Sequence, residues 1–87
     1  MNRPRRKPGF RLEQLAEECV LYFPGESRIL YCNQCASLIW QLCDGERTAA
    51  EIAAELAEAF PEAAAQIRAD VDETLAILSG NGALEYA

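Results

Sequence analysis

Histidine is absent from the 87 residues of this chain. Without it neither a Ser-His nor a Cys-His pair can form, which excludes the commonest nucleophile–base arrangements of hydrolases. A Gly-rich phosphate loop is also missing, because Gly80 and Gly82 follow a predicted helix instead of opening one. Acidic residues are plentiful, but their spacing is that of solvated helix faces. We therefore predict a protein that performs no catalysis itself and carries no cofactor.

Long apolar segments are lacking too. No run of about 18 residues is apolar enough to span a membrane, and the basic start is not followed by the apolar stretch of a signal peptide. A chain of 87 residues forms one domain with a thin core, which suits a small binding module better than an enclosed active site. We expect a cytoplasmic protein.

Four cysteines are present, but their spacing is a poor metal signature. Cys19, Cys32, Cys35 and Cys43 read C-x12-C-x2-C-x7-C, with one close pair where structural zinc sites usually have two, or one pair and two histidines. Cys32 and Cys35 form a C-x-x-C pair at a predicted strand-to-helix junction, where thiol oxidoreductases place theirs. The alternating strand and helix order of that fold is missing. We predict packed thiols and no metal, with a thiol- or zinc-binding small protein as the alternative.

Charge is divided unevenly along the chain. Five of the eight cations lie in residues 1–11, and from residue 12 onward three cations face fourteen carboxylates, a net charge of −11. Such a body repels nucleic acid and favours basic peptides or basic protein surfaces. The start is rich in charge and proline, so we expect a disordered basic tail over residues 1–9 and a folded domain over residues 10–87.

The first part of that domain has the pattern of a small antiparallel sheet, with strands at residues 10–15, 18–23 and 28–32. Pro24 and Gly25 supply the fixed φ and the positive φ of a tight turn, so the second and third strands should form a hairpin. The first strand is ambiguous, because LEQLAEE also fits a helical turn. Residues 84–86 fit a short terminal strand.

After Asn33 the apolar period changes to that of helices, at residues 34–43, 49–60 and 63–79. Asn33 can cap the first helix, and Thr48 with Glu51 has the spacing of a capping box for the second. Three strands followed by three helices predict an α+β domain that is winged helix-turn-helix-like. DNA binding is therefore an alternative, but the third helix offers Arg68 alone beside several carboxylates, which disfavours it.

The segment NQCASLIWQLCDGERTAAEI resembles the PqqD family, whose members have an Asn-x-x-Ala pattern, an apolar helix, a Cys-Asp-Gly turn, a Thr cap and Glu-Ile. The matching residues are Asn33, Ala36, Ile39, Cys43, Asp44, Gly45, Thr48, Glu51 and Ile52. The resemblance extends outward to Phe10, Arg11, Leu12, Val20, Leu21, Pro24, Gly25, Ala69, Asp70, Val71 and Leu75. One departure is Cys32, where the family usually has Leu.

This resemblance implies a non-catalytic peptide chaperone of the kind called a RiPP recognition element. Such a protein binds the leader of a ribosomally made precursor peptide and presents it to a modifying enzyme, often a radical S-adenosylmethionine protein. In the family the leader adds a strand to the edge of the third strand and lies against the third helix. The resemblance does not decide between the pyrroloquinoline quinone pathway and another peptide pathway. The protein is expected to be a monomer or a weak homodimer, since an exposed strand edge can also pair with itself.

Carried onto this chain, the peptide site comprises one strand and one helix face. The strand residues are Arg28, Ile29, Leu30, Tyr31 and Cys32, and the helix residues are Arg68, Val71, Asp72 and Leu75. Val71 and Leu75 would receive apolar leader residues, while Arg68 and Asp72 would pair with leader charges. Trp40, the single tryptophan, is expected in the core instead.

Overall fold

The structure, a computed structural model, describes residues 3–16, 18–27 and 29–86. The elements in chain order are β1 (Pro4–Arg6), β2 (Arg11–Leu15), β3 (Glu18–Tyr22), β4 (Ile29–Cys32), α1 (Gln34–Leu42), α2 (Ala49–Ala59), α3 (Ala64–Gly80) and β5 (Leu84–Tyr86). A 3₁₀ turn, Pro61–Ala63, leads into α3. The predicted α+β class is confirmed, with a three-stranded antiparallel sheet followed by three helices. None of the helices in these ranges is both long and apolar enough to cross a membrane.

The main sheet has the order β2-β3-β4, with both pairs antiparallel. Its second connection contains the predicted turn: Gly25 has φ +94°, and the N–H of Glu26 donates to the carbonyl of Phe23 at 3.0 Å. The hairpin between β3 and β4 is therefore confirmed. β2 is a strand and not a helical turn, because it pairs with β3 along its whole length. Within the described part of the chain β4 is an edge strand.

Side chains alternate between the two faces of this sheet, as the pleat requires. On the inner face Cys19, Leu21 and Cys32 are buried, and Leu30 packs against them. This face contributes to one core that also contains Ile39 and other apolar residues of the helices. The inner face is therefore part of the core, whereas on the other face Val20 is buried outside that core cluster.

Both predicted helix caps are present. The Asn33 side chain accepts a hydrogen bond from the N–H of Ala36 at 2.7 Å. Thr48 accepts from the N–H of Glu51 at 3.2 Å, while the Glu51 carboxylate accepts from the N–H of Thr48 at 2.8 Å. These reciprocal bonds satisfy orphan backbone donors at the start of α2 and lower the pKa of Glu51. The caps set where α1 and α2 begin, and hence where β4 ends.

Helix α3 turns its predicted apolar stripe into the core. Ile67, Val71, Leu75 and Leu78 are all buried. The helix runs through Gly80, and Asn81 follows as its cap. The buried stripe divides the exposed surface of α3 into two flanks, and its polar residues lie on these flanks.

The start of the chain differs from its prediction as a disordered tail over residues 1–9. Pro4–Arg6 form β1, which pairs antiparallel with β5 so that Pro4 lies opposite Tyr86. Pro4 is fully buried, and Arg5 forms an ion pair with Glu85. Proline is tolerated here because it occupies the first position of a short strand. Charge and proline content suggested disorder, but composition could not reveal a partner strand 80 residues away.

The same segment also contacts the turn between α1 and α2. The N–H of Arg6 donates to the carbonyl of Cys43 at 3.0 Å, and the N–H of Gly45 donates to the carbonyl of Pro4 at 2.9 Å. Gly45 has φ +82°, and a Cβ at this position would lie 3.1 Å from Cδ of Arg5. Glycine is therefore required here both for the backbone conformation and for the close approach of β1.

Candidate functional site

The edge strand β4 presents two exposed apolar side chains. Tyr31 is 74% exposed and Ile29 is 48% exposed, whereas Leu30 and Cys32 point into the core side of the sheet. Of the five predicted strand residues, two are therefore exposed and two face the core. The fifth, Arg28, lies outside the described residues.

The hydrogen-bonding direction of each strand follows from the first hairpin. Only two residues separate Leu15 from Glu18, so these two form the hydrogen-bonded pair that closes it. Along an antiparallel strand, the backbone groups of alternate residues point to opposite sides. The N–H and C=O groups of Glu18 point toward β2, and those of Cys19 and Leu21 therefore point toward β4.

The partners of those two residues on β4 are Cys32 and Leu30. Leu30 and Cys32 consequently bond to β3, while the N–H and C=O groups of Ile29 and Tyr31 point away from the sheet. We call this outward row of backbone groups the β4 edge. An extended peptide can satisfy such groups by adding a strand.

Two of the predicted helix residues are buried. Val71 is 0% exposed and Leu75 is 5% exposed, and both belong to the central core. Trp40 is buried in the core, as predicted, and is 8% exposed. Val71 is therefore wholly covered, while Leu75 uses a small part of its surface to line a cleft between α2 and α3.

The other two predicted helix residues lie on the side of α3 that faces α2. Arg68 pairs with Asp72 at 3.2 Å, one helical turn apart. Both line a cleft of about 450 Å³ together with Thr48 and Ala49 from α2 and with Tyr86 from β5. The structure thus places this charged pair in the α2–α3 cleft and not beside β4.

A different side of α3 approaches the residue that follows β4. Asp70, Glu73 and Thr74 line a cavity of about 130 Å³ with Asn33, which immediately follows the strand, and with Cys35 in the first turn of α1. We call this cavity the acidic pocket. Burial, and then the charge of Asp70, raise the pKa of the Cys35 thiol, which reflects how close the two side chains lie. No ion pair of Asp70 or Glu73 is formed with any residue of the described ranges.

A second cavity adjoins the acidic pocket and shares Cys35 and Asp70 with it. It encloses about 330 Å³ between the two helices that follow β4 and the start of α3. The apolar side chains around it are Cys35, Leu38, Leu56, Phe60, Ala63 and Ile67. We call it the apolar pocket.

The cysteines are packed as predicted from their spacing. Cys19, Cys32 and Cys43 are buried, and Cys35 is partly exposed. Burial raises the pKa of Cys32, and burial also raises that of Cys43, to about 12. A raised pKa disfavours the thiolate that redox chemistry and metal binding need. In residues 3–16, 18–27 and 29–86, no three Cys, Asp or Glu side chains converge on a point that could hold a metal ion.

The strand residues stay a prediction as a peptide site, and the sequence did not point to Asp70, Glu73 and Thr74, which line the acidic pocket with Asn33. Asp70, Thr74 and Ile77 follow one another at helical spacing, just to one side of the buried stripe. Their spacing could have indicated a second exposed face of α3. It could not have shown that Asp70 and Thr74, and not Arg68 and Asp72, lie beside Asn33, the residue after β4.

Comparisons with known proteins agree on the family. Residues 18–84 match the model of the family described as Coenzyme PQQ synthesis protein D (PqqD). A protein named PqqA binding protein from Xanthomonas axonopodis pv. citri (strain 306) is 40% identical over 74 residues, which cover 83% of this chain and 78% of that protein. A protein of the same name from Rahnella aquatilis is 41% identical over 63 residues, covering 69% of this chain and 63% of that protein.

The fold also matches a solved structure, described as TbiB1 in complex with the TbiA(beta) leader peptide. The TM-score is 0.73 at 19% identity, and the match covers 95% of this chain and 98% of the other. That likeness concerns the fold, whereas the family follows from the sequence matches. This chain belongs to the PqqD family.

Proposed function

We propose that this chain is a non-catalytic chaperone that binds the leader of a ribosomally made precursor peptide of the PqqA type. The single observation that carries the proposal is the β4 edge, where Ile29 and Tyr31 direct backbone groups away from the sheet. Two relatives are named for binding PqqA, and the fold neighbour was solved with a leader peptide. The leader adds a strand to β4, beside α3.

Strand addition gives affinity through the backbone, so specificity comes from neighbouring side chains. Ile29 and Tyr31 contact the leader on the outer face, while Leu30 and Cys32 hold β4 against the core. On α3, Val71 belongs to the core and Leu75 lines the α2–α3 cleft. Contacts of Arg28, Arg68 and Asp72 with the leader stay predictions.

The chaperone presents the bound leader to a modifying enzyme, for which a radical S-adenosylmethionine protein is the family expectation, and it acts in the cytoplasm. DNA binding is not favoured by the charge. Among the described residues of α3, Arg68 is a cation but is paired with Asp72, and the acidic pocket would repel phosphates.

A titration followed by NMR tests the proposal. Adding a synthetic PqqA peptide to the ¹⁵N-labelled chain should shift the amides of Ile29–Cys32 and of the α3 residues around Glu73. The amide protons of Ile29 and Tyr31 should become protected from solvent exchange, because they acquire carbonyl partners. Shifts at Arg68 and Asp72 in the same spectra would extend the site to the α2–α3 cleft.

Matched additions serve as controls for the alternative functions. Random duplex DNA at physiological salt should leave the spectrum unchanged, as should zinc. Peptide-induced shifts that bypass Ile29–Cys32 would contradict strand addition at β4. Shifts confined to Cys32 and Cys35 on addition of zinc or oxidant, with none from peptide, would favour a thiol function instead.

A further inference from the structure

The acidic pocket and the apolar pocket form one continuous surface that begins at the residue after β4. Asn33 directly follows the last residue of the strand, and it lines the acidic pocket. The acidic pocket in turn shares Cys35 and Asp70 with the apolar pocket. A peptide paired with β4 that continues past Cys32 therefore meets the acidic pocket first and the apolar pocket next.

The apolar pocket has the properties of a binding site. Its volume of about 330 Å³ lies at the lower end of the range of ligand cavities, about 300–1,000 Å³. Phe60, on its rim, is 42% exposed although it is a large apolar residue. Leu56 and Ile67, at its base, are buried core residues that give it a rigid floor. Such a pocket gains apolar contact area when a side chain enters it.

Charge selects the kind of peptide that enters. Asp70 and Glu73 line the acidic pocket, and Glu62 lies at the rim of the apolar pocket. Within the described ranges, neither Asp70 nor Glu73 forms an ion pair. Two neighbouring carboxylates repel each other and attract a cation, so a basic side chain complements this position and an acidic one opposes it.

We infer that the leader carries a basic residue that enters the acidic pocket and, next to it, a large apolar residue that enters the apolar pocket. This inference rests on the proposed function and adds the chemistry of the leader segment beyond the β4 edge. The basic residue contacts Asp70 and Glu73, and the apolar residue packs against Leu38 and Phe60. Together they fix how far along β4 the leader slides, which backbone pairing alone does not specify.

The experiment combines a scan of the peptide with two variants of the chain. Lysine and, separately, glutamate are placed at each position of a fluorescein-labelled PqqA peptide, and binding is measured by anisotropy. At the position that occupies the acidic pocket, lysine should bind about tenfold more tightly than glutamate. The double substitution Asp70→Asn/Glu73→Gln should abolish that difference. The control Glu46→Gln/Glu58→Gln changes the net charge equally on other surfaces and should preserve it.

The apolar pocket is tested by filling it. Ala63→Trp places a large ring at its rim and should weaken binding of the unmodified peptide about tenfold. Ala69→Trp, on an exposed part of α3 that does not line the pocket, should bind like the native chain. Circular dichroism and thermal melts show that each variant is folded before its affinity is compared.

Failure of this inference differs from failure of the proposed function. If the native chain binds no position-scanned PqqA peptide, leader binding itself is wrong. If it binds, but lysine and glutamate are equivalent at every position, the inference about the acidic pocket is overturned while leader binding stands. The same conclusion follows if the lysine preference survives in the Asp70→Asn/Glu73→Gln chain. Unchanged affinity in Ala63→Trp would remove the apolar pocket from the site.

Discussion

Tyr31→Pro is expected to weaken binding of the PqqA peptide about 30-fold while the chain stays folded. The N–H of Tyr31 points away from the sheet, so proline removes no hydrogen bond between β3 and β4. In the complex, however, a carbonyl of the added strand loses its donor and is left unsatisfied. Such a loss costs about 2 kcal/mol, which corresponds to the expected factor. Isothermal titration calorimetry with the PqqA peptide measures this loss of affinity.

Two neighbouring variants separate the backbone from the side chain. Tyr31→Ala removes the ring but keeps the N–H, so it should bind more tightly than Tyr31→Pro. Leu30→Pro removes an N–H that bonds to β3 and should unfold the sheet instead. If Tyr31→Ala and Tyr31→Pro bind equally well, the leader does not pair with the β4 edge.

Raising the pH from 9 to 12 is expected to lower the free energy of unfolding by about 3 kcal/mol through Cys43 alone. The thiol is 0% exposed, and its Sγ donates to the carbonyl of Ile39 at 3.1 Å. Burial raises its pKa from 9.0 to about 12. In this window the unfolded chain has lost the thiol proton while the folded chain retains it. The unfolded state then binds fewer protons, so stability falls as the pH rises.

Urea unfolding at several pH values, for the native chain and for Cys43→Ala, measures this contribution. Alanine removes the titrating group, and other groups that titrate above pH 9 are common to both proteins. The Cys43→Ala chain should be less stable at pH 8, because it loses packing, and its stability should fall less steeply above pH 9. Parallel pH profiles for the two proteins would show that Cys43 does not carry the effect.

The elements that could be predicted from the sequence are those specified by neighbouring residues. Asn33 and the Thr48–Glu51 pair mark helix starts within a single turn, and Pro24 with Gly25 marks the hairpin. The tail prediction was wrong for Pro4–Arg6, because β1 depends on a partner at the other end of the chain. A local pattern carries no information about such a pairing.

In the candidate site, too, some features follow from neighbouring residues and others depend on long-range packing. The β4 edge follows from strand order, which a hairpin signal largely determines. The apolar stripe of Val71 and Leu75 indicates which side of α3 is covered, but it does not indicate which neighbour lies on either flank. Only the packing of α3 against α1 brings Asp70 and Glu73 to Asn33.

The pairing of β1 with β5 also has a consequence for the order of folding. Arg5 and Glu85 are 80 residues apart, so this ribbon closes nearly the whole chain into one loop, and closing so long a loop carries a large entropic cost. Each strand has only three residues, too few to form before the core that supports them. We expect the ribbon to form last and to open first. The amide of Lys7 reports on the ribbon, because it donates to the carbonyl of Ala83 at 2.9 Å. In native-state hydrogen exchange it should exchange faster than the amide of Leu21, and equal rates at the two sites would mean that the sheet and the ribbon open together.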